Sequence, residues 1–398
     1  VNTKTTWDKS RSWLVASSNE NPLVALLGSK RVLITVGAGG VGKTTTAAAL
    51  AVAAARSGKR VLCLTIDPAR RLAESLGLER MSTEAVTIDA SKFRDAGVPL
   101  NGSLTVMMLD TKRTFDEFVK KYSSSPERAK SLLDNKLYKY VSTSLAGTQE
   151  YMAMEKLVAV RDDPAYDLIL LDTPPTANAL DFLDAPERLM DALDSPAMKY
   201  FIEAFQTTGK FSLNVLAKSA SLVLKTIGKV TGGGFLEDMA RFVVELNDLF
   251  GGFKERAKMV QKALRAPDAS FLLVTSPAPM SIREVLYFSE RLEEHGMPRG
   301  AFIVNRMRTP PPRGTEPPSE PQVRDAVKSR DLKLDDDAPE RLLRAHTDAM
   351  KLAALDARHV KALDDASARA VPIVRVPELA TDVRDLTLLA KVADLLIA

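Results

Sequence analysis

The run Gly37-Ala38-Gly39-Gly40-Val41-Gly42-Lys43-Thr44 has the residue types and spacing of a phosphate cradle. It fits the pattern G-x-x-x-x-G-K-S/T. Glycines let backbone N–H groups turn inward around a β-phosphate without Cβ clashes. Lys43 supplies a point charge to the β- and γ-phosphates. The Thr44 hydroxyl is placed to ligate Mg2+, with Thr45 beside it among the nucleotide contacts. A helix beginning at Lys43 aims its positive end at the same phosphates.

A cation in such a site needs a carboxylate. Asp167-Leu168-Ile169-Leu170-Leu171-Asp172 is an apolar strand that ends in an acid, and Asp172 is expected to hold Mg2+ through a water. The base calls for a different reader. Guanine is recognised by a carboxylate, usually an Asp shortly after an Asn or Thr. Here Asn305-Arg306-Met307-Arg308 puts an arginine where that Asp would stand. The Asn305 amide can both donate to and accept from adenine, so ATP is expected over GTP. The alternative reading of Asn305 is a turn residue that closes the strand before it.

These residues must be carried by strands and helices. Val32–Val36 and Val61–Ile66 are short apolar runs of the kind that form fully buried parallel strands, with a helix over Ala47–Ala55 between them. Leu168–Leu171, Phe271–Val274, Ala301–Val304 and Ile373–Val376 repeat the pattern. Strands alternating with helices predict an α/β fold: a doubly wound, mostly parallel sheet in a P-loop NTPase core. Residues 111–160 and 186–265 break the alternation and predict an inserted α-helical subdomain, leaving 28–110, 161–185 and 266–398 as the core. Phe235, Met239, Phe242, Leu246, Leu249 and Phe253 recur at helical spacing on one face of that insertion. Residues 1–27 read as a leader packed on the core. Residues 309–341, with six prolines between Pro310 and Pro321, read as a Pro-rich, charged surface loop.

The chain has 398 residues, 45% of them apolar, and a net charge of only +4, with no concentrated basic patch, so nucleic acid is not an expected partner. Its one cysteine, Cys63, excludes an internal disulfide or a cysteine-based zinc site and reads as a small buried apolar residue. Neither a signal-peptide pattern nor an uncharged apolar run of about 18–20 residues is found, which predicts a cytoplasmic location.

The motifs resemble the ArsA family of ATPases, which belongs to the same class as the MinD and ParA partitioning ATPases. The likeness rests on GAGGVGKTTTAAALA (Gly37–Ala51), TIDPARRLAESLG (Thr65–Gly77), GTQEYMAMEKLV (Gly147–Val158), LILLDTPPTANAL (Leu168–Leu180) and VNRM (Val304–Met307). It implies that Asp67-Pro68-Ala69 is switch I, with Asp67 near the metal and orienting or deprotonating the attacking water. A carboxylate within reach of the γ-phosphate can accept that proton. It further implies that Asp172-Thr173-Pro174-Pro175-Thr176 is switch II, and that Val376-Pro377-Glu378 lines the adenine together with Asn305. A homodimer with two ATPs between facing loops is implied as well, and a helical insertion that meets a protein client or partner.

Three departures qualify the likeness. The family's Lys at the second loop position, which reaches the partner's phosphates, is Ala38 here. A cation acting in trans contributes about 10³–10⁵ in rate, or roughly 4–7 kcal/mol of barrier. Slow turnover is therefore expected, with Arg70 and Arg71 as candidate substitutes. The cysteines that hold an intersubunit zinc are absent, and so are those that bind arsenite. Three functions stay open on the sequence: an ATP-driven switch holding a client, a regulatory polarity or motility ATPase on a scaffold, and an energiser of a membrane anion pump, which would give an indirect membrane link.

Overall fold

The computed structural model describes residues 21–66, 70–78, 82–136, 138–139, 142, 148–173, 242, 255–310, 319–330, 335 and 337–398. Its centre is an eight-stranded sheet built from β1 (Val32–Val36), β2 (Arg60–Thr65), β3 (Val86–Thr87), β4 (Ser103–Met108), β5 (Leu168–Asp172), β6 (Ala269–Thr275), β7 (Arg299–Met307) and β8 (Ile373–Pro377). The order is β3-β4-β2-β5-β1-β6-β7-β8, and only the β3–β4 pairing is antiparallel. Each strand predicted from an apolar run is present. The sheet also has β3 and β4, which leave no apolar run in the sequence because polar Ser103 and Thr105 interrupt β4 and β3 is very short.

Both faces of the sheet are covered, which is why the strands are apolar without alternation. Leu33, Val61, Cys63, Leu168 and Leu170 point into one core with α2 (Lys43–Arg56), α3 (Arg70–Ser75), α4 (Ala90–Asp95) and α11 (Leu386–Ile397). Val32, Ile34, Val36, Leu62, Leu64, Ile169 and Leu171 point into the other. That second face carries α5 (Thr111–Tyr122), α6 (Pro126–Asp134), α7 (Thr148–Arg161), α8 (Pro279–Glu294) and α10 (Ala338–Ala366). Every residue of α2 from Thr46 to Ala55 is buried, and its alanines let it lie close against the strands on one side and α11 on the other.

The end of the expected leader forms α1 (Pro22–Ser29). Leu23 and Leu27 are buried, and the Asn21 amide donates to the carbonyls of Leu396 and Ala398 at 2.9 Å each. Trp7 and Trp13 lie outside the described residues. Of the expected helical segments, α5 to α7 are described, together with a helical stretch at 255–264. Glu155 of α7, 5% exposed, accepts a forked pair of bonds from Arg256, whose guanidinium also lies over the Tyr122 ring. Of the predicted insertion face only Phe242 is described; it is buried in the core cluster, and its fellows lie outside the described residues.

The 309–341 segment needs correction. Residues 311–318 lie outside the described set, but Glu320–Ser329 forms a helix, α9, and α10 starts at Ala338. Prolines at a first helical turn are compatible with a helix, because their missing N–H would be unsatisfied there anyway. Gln322 accepts from the Ser319 N–H at 2.8 Å, and Glu320 pairs with Arg324 one turn on. Among the described residues, no helix is long and apolar enough to cross a membrane.

Candidate active site

The glycine loop leaves β1 and enters α2 at the C-terminal edge of the sheet, the place where open α/β sheets bind ligands. Two glycines are obligatory. Gly37 has φ +153°, and a Cβ there would come within 1.9 Å of the Val274 carbonyl oxygen. Gly42 has φ +94°, and its Cβ would meet the Asn305 amide nitrogen at 2.3 Å. Gly39 and Gly40 are exposed at the mouth of the loop, whereas Val41 and Ala38 are buried. Lys43 is 6% exposed and donates to the Ala38 carbonyl at 2.8 Å, so its ammonium lies across its own loop. Thr44 and Thr45 are half-buried in the first turn of α2. The Ala38 methyl is part of the core on the α2 face.

Asp172 closes β5 beside this loop and is 1% exposed. Strand register explains its surroundings. Thr35 of β1 and Thr65 of β2 both pair with Asp172, one from each side. The Thr44 hydroxyl donates to Asp172 Oδ2 at 2.6 Å, Thr65 to the same oxygen at 3.2 Å, and Thr35 to Oδ1 at 3.3 Å. Burial pushes the Asp172 carboxyl up to about 6; the hydroxyl donors and the Lys43 charge pull the other way without overcoming it. Sequence reasoning missed Thr35 and Thr65. The available signal was a hydroxyl at or next to the end of each apolar strand flanking β5.

These groups suit Mg2+. A hard cation wants oxygen, and Thr44 Oγ1 with Asp172 Oδ2 supplies two oxygens in contact. Among the described residues no group of three or more His, Cys, Asp or Glu is arranged so that it could hold a metal ion by itself. Buried Cys63, its thiol pushed up by desolvation and by the Asp172 charge, is an apolar packing residue and no thiolate ligand.

The expected base-side residues come together at the ends of β7 and β8. Met307 pairs with Pro377, and the Glu378 N–H donates to the Met307 carbonyl at 2.8 Å. Asn305 is half-buried here, but its polar atoms face the protein. Nδ2 donates to the Val41 carbonyl at 2.9 Å, and Oδ1 accepts from the Arg306 N–H at 2.9 Å. Asp67, Pro68 and Ala69 lie outside the described residues, as do Pro174, Pro175 and Thr176 of the expected switch II. Thr173 is described, and its hydroxyl donates to the Thr35 carbonyl at 2.7 Å. Arg70 and Arg71 are the first residues of α3.

A glycine loop between a strand and a helix, with a buried acid on the neighbouring strand, defines a P-loop nucleotide-binding protein. The family model for anion-transporting ATPases matches residues 30–316. The chain therefore belongs to the ArsA family, and it is an ATPase. ATPase GET3 of Malassezia globosa is 25% identical over 287 residues, spanning 69% of this chain and 72% of that protein. ATPase get3 of Aspergillus terreus is 23% identical over 275 residues, with the same coverage. ATPase GET3 of Mycosarcoma maydis is 26% identical over 225 residues, spanning 54% and 57%.

Proposed function

We propose that the chain is a Mg-dependent ATP switch that works as a homodimer and couples its nucleotide state to the helical segments 111–160 and 186–265, and through them to a protein client or partner. The observation that carries the reading is the 2.6 Å contact between Thr44 Oγ1 and Asp172 Oδ2 at the mouth of the glycine loop. Loop amides and Lys43 take the β- and γ-phosphates. Thr44, Asp172 and Asp67 would hold the metal, which when bound would supply positive charge to offset the negative charge of the phosphates. Asp67 orients the attacking water and accepts its proton; the leaving phosphate oxygen is that of ADP. Asn305, Pro377 and Glu378 form the base side. Ala38 has no charge to send across a dimer, so turnover is slow unless Arg70 or Arg71 substitutes. The pair of buried Glu155 with half-buried Arg256 joins α7 to the C-terminal end of the second helical segment and supports coupling between them.

The test is Mg-ATP binding and phosphate release. Lys43→Ala is expected to abolish binding or turnover, and Asp67→Asn to retain ATP but stop hydrolysis. Normal hydrolysis by the Asp67 variant removes its assigned role. Sizing the protein with ADP and with a non-hydrolysable ATP analogue tests the dimer: one monomeric size in both states defeats the dimeric switch.

A further inference from the structure

Helix α10 buries a stripe of Ala353, Asp356, Val360 and Leu363. Three of these are the apolar residues such a face requires, and the fourth is a carboxylate only 4% exposed. A desolvated carboxylate persists only where it is paired and hydrogen-bonded. Asp356 is both. Oδ2 accepts from the Arg308 backbone N–H at 3.0 Å, and Oδ1 from its guanidinium at 3.1 Å. The partner is not on a neighbouring helix but on the turn that leaves β7.

The last residues of β7, just before Arg308, are irregular. The β7–β8 register shifts between Val304 and Met307, and Arg306 takes φ +58°, a left-handed conformation that a residue with a Cβ adopts at a cost. Asn305 lies in β7 at this irregularity, its amide spent on Val41 of the glycine loop and packed against Gly42. A continuous set of contacts thus runs from Asp356 through Arg308 and the end of β7 to the phosphate cradle. One turn along α10, His359 Nδ1 lies 3.0 Å from the Pro277 carbonyl, so the same helix also holds the segment after β6.

We propose that Asp356 is a positioning residue for the phosphate loop, fixing the C-terminal end of β7 through Arg308 so that Asn305 holds the loop through the Val41 carbonyl. The inference rests on the ATP reading and adds to it: Asn305 serves the phosphates by way of the loop, beyond any contact with the base.

The experiment measures equilibrium binding of Mg-ATP and of Mg-tripolyphosphate, which has no base, to the full chain and to Asn305→Ala, Asp356→Ala, Asp356→Asn and the Asn305→Ala/Asp356→Ala double variant. Asn305→Ala and Asp356→Ala are each expected to weaken tripolyphosphate on the order of tenfold. The double variant is expected to be no weaker than Asn305→Ala alone, because both act through one contact. General destabilisation does not produce that non-additivity. If Asp356→Ala does not fold, Asp356→Asn is read instead. Its amide oxygen still accepts from the Arg308 N–H but cannot form the ion pair, and a smaller loss is expected. Wild-type tripolyphosphate affinity in the Asp356 variants overturns the proposal. So do losses that multiply in the double variant, or an Asn305→Ala defect confined to ATP. A wild-type protein that binds Mg-ATP but not tripolyphosphate overturns this proposal and leaves the ATP reading standing. One that binds neither overturns both.

Discussion

Asp167 and Asp172 flank the same apolar run, Leu168 to Leu171, at opposite ends of β5, yet the fold treats them in opposite ways. Asp167 lies at the edge where the strand begins, with its side chain 39% exposed. It accepts from the Arg60 backbone N–H at 2.8 Å and from the guanidinium at 2.7 Å. These bonds hold its carboxyl well below the usual carboxylate range. Asp172 lies where the strand ends, is nearly sealed from solvent, and among the described residues its carboxylate accepts from three hydroxyls. Its carboxyl is raised by the same physics with the opposite balance. A paired, solvated acid is a fixture of the fold. A buried acid facing hydroxyls and a lysine, at the end of a strand beside a glycine loop, is held in a costly state that a bound cation would relieve.

The contrast is sharpest in paired substitutions. Asp172→Asn is expected to lower ATP turnover on the order of 100-fold or more, because a metal-side oxygen is lost. It is also expected to raise the melting temperature of the nucleotide-free protein by a few degrees, because a desolvated acid becomes a neutral amide. Turnover assays and thermal unfolding read the two effects separately. Unchanged turnover breaks the functional half of the comparison, and a lowered melting temperature breaks the physical half.

A smaller effect tests the threonines. Thr65→Val removes one donor from Asp172 Oδ2 while keeping shape. It is expected to lower turnover about tenfold, with Thr65→Ser restoring most of it. Equal activity of the Val and Ser variants would show that the register-matched hydroxyl does nothing for the carboxylate.

The smallest effect lies at the other end of β5. Asp167→Asn is expected to leave turnover unchanged and to cost less than about 1 kcal/mol of stability, since the Arg60 pair is half exposed and screened by solvent. Its sign with pH follows from its lowered folded-state value. The wild-type advantage over Asp167→Asn is present above the unfolded aspartate range, about pH 4, and is lost as pH falls through the folded value. Urea midpoints of the two proteins from neutral pH down to strong acid should converge. An advantage that persists in acid would assign the difference to something other than the Arg60 pairing.

Much of this was legible in residue order. The runs at Val32, Val61, Leu168, Phe271, Ala301 and Ile373 each became a strand, because strands buried on both faces leave an uninterrupted apolar signature. β4 escaped because Ser103 and Thr105 break its run near the sheet margin, where one hydroxyl meets Thr87 of β3. Helix α9 escaped because it follows a Pro-rich run and carries Pro321 in its first turn, a composition that reads as a loop. Asn305 was read for its chemistry toward a base, but its amide is committed to Val41, a partner 264 residues away in sequence.

What the sequence determined by itself was the cradle. Gly37, Gly42, Lys43 and Thr44 lie within one eight-residue run, and their effect depends on local backbone freedom and on the helix that starts among them. Only the tertiary structure decided which of two aspartates on one strand is buried, which threonines stand beside it, and that a carboxylate on α10 grips the turn after β7. Burial and pairing are set by strand register and by helices brought in from far along the chain, and no local pattern of residues encodes those neighbours.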